Sequence, residues 1–392
     1  MVSETLKFKI FYFIRYFGDA FFYPFMSIYF ISKGMSDQNL GIIFAITPIT
    51  TILVNPFWNF LVKDIKVSRL ILKIMTLIEG ALIITLTQVS GFEMYALIVV
   101  LIAFFCSPFI SIQDGFTATY SNINKIEYSS IRIYASIAYV IASAIAGVLI
   151  MYLGYTLIFI IGGVFFAVTT LVVFWLKPFH QEIESTGKNA RDIKALLHNP
   201  DFYKYLLFYT LVIGAVRIGD SFFGVFITDD KGLSTTGYGF LYSGFVFVEV
   251  LTLRFLINKG QLVSEKNLLI LANILFILRF ALYGLDLPLS VLIPVTLIRG
   301  LSWGIVIFAH IKFIIKIVKL ENVTTAILII TFFFSIFTAI GNFLFGRMSQ
   351  SSGFSWPYLF ITFVLAFGLL LFLVLTPKTR EQKGDEIEAL EE

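Results

Sequence analysis

The chain has 392 residues, of which 58% are hydrophobic, 17% aromatic and 14% charged, and its net charge is +4. A soluble protein carries about 25% charged residues, so this composition excludes a cytosolic enzyme, a secreted disulfide scaffold and a disordered chain, and leaves a polytopic helical membrane protein. The single cysteine, Cys106, excludes an internal disulfide and any Cys-based metal site, and the three histidines, His180, His198 and His310, are widely scattered.

A membrane helix needs about 20 mostly apolar residues. Apolar runs place spans at 8–32, 39–62, 70–90, 94–121, 132–152 and 155–176, then at 202–227, 237–258, 266–284, 288–311, 322–346 and 354–375. The N-terminal run lacks a small-residue cleavage site and is expected to stay as the first span. The polar stretch 177–201 divides the spans into blocks at 1–176 and 202–376, followed by an acidic tail at 377–392. Lys7, Lys9, Lys63, Lys66, Arg69, Lys73, Lys125, Lys177, Lys188, Arg191, Lys194, Lys259, Lys266, Lys312, Lys316 and Lys319 fall on one side; Lys33, Lys231 and Arg347 fall on the other. The positive-inside rule then puts both termini in the cytoplasm.

The two blocks repeat each other. Gly18-Asp19-Ala20-Phe21-Phe22 recurs as Gly219-Asp220-Ser221-Phe222-Phe223, and Lys33-Gly34-Met35-Ser36 as Lys231-Gly232-Leu233-Ser234. Gly41 recurs as Gly239, and Phe60-Leu61 as Phe255-Leu256. An ordered series of matches predicts a duplicated six-helix unit, all α, with the halves related by a pseudo-two-fold axis.

Charges inside spans cost about 2.5–3.5 kcal/mol each on insertion scales, so they mark cavities or partners. Arg15 and Asp19 share a helix face in span one, as do Arg217 and Asp220 in span seven. Asp19 and Asp220 are expected to line a cavity, or else to hold structural ion pairs. Arg15 and Arg254 lie nearer helix ends and could snorkel. Glu79 in span three reads as a lipid-shielded structural group or a functional one. Glu249, in the apolar run FVFVEVLTL, is the leading proton-site candidate, with a permanent pairing to Arg279 as the alternative. His310, Trp175 and Trp356 read as interfacial, and Trp303 as either core or cavity-facing. Ala146-Gly147 and Gly162-Gly163 read as points of close helix approach. Four intramembrane arginines, Arg132, Arg217, Arg279 and Arg299, point to an anionic substrate.

Tyr23-Pro24-Phe25 followed by Leu40-Gly41-Ile42-Ile43-Phe44-Ala45, the run Ile131-Arg132-Ile133-Tyr134-Ala135-Ser136-Ile137-Ala138-Tyr139, and Gly341-Asn342 resemble the major facilitator superfamily. Within it they resemble the branch of the lactose permease and its oligosaccharide, nucleoside and phenylpropionate relatives. The family's Gly-x-x-x-Asp-(Arg/Lys)-x-Gly loop is altered here, reading Asn59-Phe60-Leu61-Val62-Lys63-Asp64-Ile65-Lys66.

The resemblance implies a twelve-helix, monomeric secondary transporter in the cytoplasmic membrane, working by alternating access. It implies that Asp114, Arg132 and Tyr139 contact the solute, with Asp19, Asp220 and Trp303 as further binding candidates. Arg279 matches the lactose permease's span-nine arginine. Arg299 and Ser302 stand where the permease carries its proton relay, so that relay is absent in its usual form. Glu249, Arg279 and Arg299 are the proton-coupling candidates.

The expected function is proton-coupled symport of a sugar, nucleoside or organic acid. The alternatives are a proton-driven exporter of amphipathic compounds and a non-transporting receptor or partner subunit. The sequence holds no nucleophile–base pair, phosphate loop or metal cluster, so no enzyme activity, cofactor, metal or nucleic-acid partner is expected.

Overall fold

A computed structural model describes residues 3–61, 65–177, 196, 198–259, 263–319, 322–375 and 377. Lys63, Asp64, His180, Lys188, Arg191, Lys194 and the acidic tail beyond 377 lie outside the described residues. All regular structure among the described residues is helical. Span one runs from Glu4–Phe22 through a short turn, Tyr23–Phe25, into Met26–Ser32. Spans two and three are Asp37–Leu61 and Ile65–Leu86. Span four is broken at Pro108 into Phe92–Cys106 and Phe109–Ile123, because proline has no N–H for the helical ladder. Spans five and six share Ser129–Trp175 and part at Gly154, whose φ of 75° is non-helical. Span seven is Pro200–Val225 with a wider terminal turn at Phe226–Asp230. Spans eight to twelve are Thr235–Lys259, Glu265–Gly284, Leu289–Ile317, Val323–Ser352 and Ser355–Leu375.

Nine helical stretches among the described residues are long and apolar enough to cross a membrane, one of them being the joined spans five and six. Spans one and three fall short of that measure. Their sequences carry Arg15 with Asp19, and Lys66, Arg69, Lys73 and Glu79. The outer faces are apolar: Leu53 is 73% exposed and Val374 70% exposed. Such surfaces are stable against hydrocarbon, because a helix satisfies its interior backbone groups within itself.

The repeated Lys-Gly-x-Ser segments adopt the same local structure. Gly34 and Gly232 take φ of 82° and 76°, the left-handed conformation that ends a helix at little cost only for glycine. The next residue bonds back into the finished helix, Met35 N to Phe30 O at 3.1 Å and Leu233 N to Ile227 O at 3.0 Å. Ser36 and Ser234 then cap the following spans, accepting from Asn39 N at 3.3 Å and Gly237 N at 3.1 Å.

By packing, the described chain forms two compact units. One holds residues up to 177 with Phe222–Phe247; the other holds residues 196–221 with those from 248 onward. This partition follows compactness, whereas the blocks 1–176 and 202–376 follow the sequence repeat. In the first unit, Gly147 meets Gly239: a Cβ on Gly147 would lie 2.8 Å from Gly239 Cα and 2.9 Å from Thr235 O. Ser243 Oγ donates to Val140 O at 2.7 Å, and Tyr238 OH donates to Pro24 O at 2.9 Å. The Gly147 contact is backbone on backbone and cannot yield to a side chain. Gly147→Val is therefore expected to destabilise the protein by about 1–3 kcal/mol through overpacking. Gly115, with nothing near its missing Cβ, supplies the control: Gly115→Ala should raise stability by up to about 1 kcal/mol through helix propensity. Thermal unfolding in detergent checks both.

Candidate functional site

In the first unit, span one carries a polar stripe at helical spacing, Tyr12, Arg15, Tyr16, Asp19 and Tyr23. Arg15 donates through Nη1 to Asp19 Oδ1 and through Nη2 to Glu79 Oε2, the latter at 2.9 Å. Tyr23 OH donates to the other Glu79 oxygen at 2.6 Å. The guanidinium lies between the rings of Phe109 and Phe166, 4.4 and 4.3 Å from their centres. Arg15 is 3% exposed, Asp19 6% and Glu79 0%. Arg15 therefore does not snorkel. Helix one begins at Glu4, so Arg15 lies well inside it and finds carboxylates rather than headgroups. Close approach of spans three and six at Gly80 and Gly163, where a Cβ on Gly163 would lie 2.8 Å from Gly80 O, helps to seal the site.

A second cluster in the same unit is more open. Tyr12 OH donates to Asp114 Oδ1 at 2.7 Å, and Arg132 Nε lies 3.7 Å from Asp114 Oδ2. The side chain of Arg132 is 47% exposed and that of Asp114 29%. At 3.7 Å the ion pair is loose, so the guanidinium keeps donors for another acceptor. Tyr16 stacks on Tyr12 at 6.0 Å and meets Tyr139 edge-on at 6.4 Å; Tyr139 stacks on Tyr242 at 6.0 Å. The structure thus brings Asp114, Arg132 and Tyr139 onto one aromatic wall, with Asp19 in the neighbouring triad.

In the second unit the hub is Asp220. Its Oδ1 accepts from Arg279 Nη2 at 2.7 Å, and its Oδ2 accepts from Arg299 Nε at 3.0 Å and Trp303 Nε1 at 3.1 Å. Arg279 is fully buried and stacks 4.1 Å from the Phe280 ring centre. Arg217, on the same helix face, is not one of these hydrogen-bond donors. The exposed Arg217 instead stands 6.0 Å from the Trp303 ring centre. Arg279 accordingly serves Asp220, and Glu249 is half-buried. Trp303 is half-buried, and its in-plane indole N–H donates to Asp220. His310 packs against span seven: its Nδ1 lies 2.6 Å from Tyr205 OH and its ring stacks on Tyr209 at 4.2 Å. Trp175 and Trp356 are exposed, as expected of belt residues.

The repeat relates the two buried hubs. Asp19 corresponds to Asp220, and Glu79 lies 200 positions before Arg279, within the drift of the other repeat pairs. One hub gathers two carboxylates on one arginine; the other gathers two arginines on one carboxylate. Tyr12, Tyr16, Tyr23 and Tyr242 were not expected at these sites. The signal was available at Tyr12, Tyr16 and Tyr23, which fall on the charged face of span one at three- and four-residue spacing.

The model of the MFS_1 like family matches residues 5–360. The chain belongs to this family. It is a multi-pass membrane transporter of the major facilitator type, not an enzyme. The uncharacterized transporter YwbF of Bacillus subtilis is 24% identical over 95% of this chain and 94% of its own length. The maltose permease of Geobacillus stearothermophilus is 22% identical over 96% of each chain. The probable 3-phenylpropionic acid transporter of Escherichia coli is 24% identical over 83% of this chain and 88% of its own. Among solved structures, the nucleoside transporter NupG superposes with a TM-score of 0.78 at 15% identity, over 96% of this chain and all of that one. A bacterial homolog of the human lysosomal transporter Spinster, in an inward-facing and occupied conformation, gives 0.70 at 14% identity, over 94% and 95%. These superpositions establish the all-α major facilitator fold of this transporter.

Proposed function

We propose that this transporter moves a small polar organic solute across the cytoplasmic membrane by alternating access, as a monomer with both termini inside, and that protons drive it by symport. The observation that carries the reading is the loose, half-open Asp114–Arg132 pair beside Tyr139. A carboxylate and a guanidinium with unused hydrogen-bonding capacity can hold a polar group, and the tyrosine wall can hold a ring. The relatives named for maltose, 3-phenylpropionic acid and nucleosides bracket the solute class. The exposed guanidinium of Arg132 in the cluster with the tyrosine wall favours the carboxylate-bearing aromatic member of that set. The two six-helix blocks inferred from the repeat supply the moving parts.

The test is a thermal-stabilisation screen of purified protein against aromatic acids, disaccharides and nucleosides. A solute at about 100 times its dissociation constant adds about 2.7 kcal/mol to apparent stability. One class is expected to stabilise the wild type and to lose that effect in Asp114→Asn. Equal stabilisation of both proteins would remove Asp114 from the site. Stabilisation by hydrophobic cations alone would replace the importer with an exporter.

A further inference from the structure

We propose that the Arg15–Asp19–Glu79 triad is a proton-binding site that holds one proton at neutral pH, on the Asp19 side of the pair. The charge count favours it. One guanidinium bridges two carboxylates in a pocket closed by Phe109 and Phe166, and a buried net negative charge is strongly disfavoured. The other titratable groups facing the triad are Tyr16, Tyr23, Tyr139 and the Cys106 thiol. None of them is cationic, so none supplies the missing positive charge. A proton does, as in other sites where two carboxylates share one environment.

The donors decide where the proton rests. Glu79 receives Arg15 on Oε2 and Tyr23 on Oε1 at 2.6 Å, so its negative charge is well solvated by the protein. Asp19 receives Arg15 on Oδ1, which leaves Oδ2 to carry hydrogen. Asp19 is also the carboxylate with residual exposure, and it neighbours Tyr16 and Tyr139 on the way to Asp114 and Arg132. Loss of this proton leaves Asp19 as a carboxylate and restores the excess negative charge, which a bound solute would sense through Tyr139. The proton-coupling role rests on the symport reading; the presence of the proton does not.

Infrared difference spectroscopy of the purified full-length protein, titrated from acid to alkaline pH, tests the site without any solute. The wild type should show a protonated-carboxyl band at neutral pH that shifts when aspartate is isotope-labelled. Asp19→Asn should remove it. Glu79→Gln should remove it too, because Arg15 and Asp19 then form a neutral pair that needs no proton. Absence of an aspartate-sensitive band in the wild type at neutral pH would overturn the proposal, and so would survival of the band in Glu79→Gln. The labelled wild type decides the matter even if a variant fails to fold. A wild type that shows the band but links no solute to proton movement would sink the symport reading and leave the protonated pair standing.

Discussion

Asp220→Ala is expected to abolish solute accumulation and to lower stability by about 3–5 kcal/mol, the usual cost of removing one partner from a buried ion pair. Asp220 is the acceptor for Arg279, Arg299 and Trp303. Arg279 is fully buried, and its Nε and Nη1 find no hydrogen-bond acceptor among the described residues. Without Asp220 it is a buried cation held only by the rings of Phe276, Phe280 and Tyr283. Asp220→Asn keeps an acceptor and the volume but loses the charge, so its cost should fall between wild type and alanine. Melting curves in detergent and solute uptake in vesicles read the two effects separately. A wild-type melting point for Asp220→Ala would mean that the arginines have other anchors.

Arg15→Met is expected to have the second-largest effect, again about 3–5 kcal/mol. It leaves Asp19 and Glu79 buried without their common cation, and both must then take protons. A triple replacement, Arg15→Met with Asp19→Leu and Glu79→Leu, should recover much of that loss, because well-packed apolar residues can match a buried charge cluster in stability. It should not recover proton-driven uptake. Recovery of stability without transport separates the functional role of the triad from a merely structural one. Recovery of both would make the triad dispensable to transport.

The helices were legible because a bilayer leaves few options: long apolar runs, and turns marked by Lys-Gly-x-Ser at matching places. The sites were less legible, and particular residues explain why. Asp220 lies three residues from Arg217, and local spacing made that pair attractive. The partners that won come from spans nine and ten, and no single-helix pattern contains them. Arg15 reads as peripheral in an apolar run that starts at residue 8; the helix begins at Glu4, capped by Ser3. Glu79 looked isolated on span three because both of its partners, Arg15 and Tyr23, sit on span one. Tyr12 and Tyr16 passed as packing in a phenylalanine-rich chain, although they follow the charged stripe. Asp114, Arg132 and Tyr139 came from family resemblance, and the tertiary structure brings them together.

The most direct measurement uses proteoliposomes with a pH-sensitive dye trapped inside. An aromatic acid, a disaccharide and a nucleoside are added outside in turn. Proton-coupled symport predicts that one of these acidifies the lumen in the wild type and fails to do so in Asp19→Asn. Alkalinisation by amphipathic cations, with no acidification by any polar solute, would contradict it.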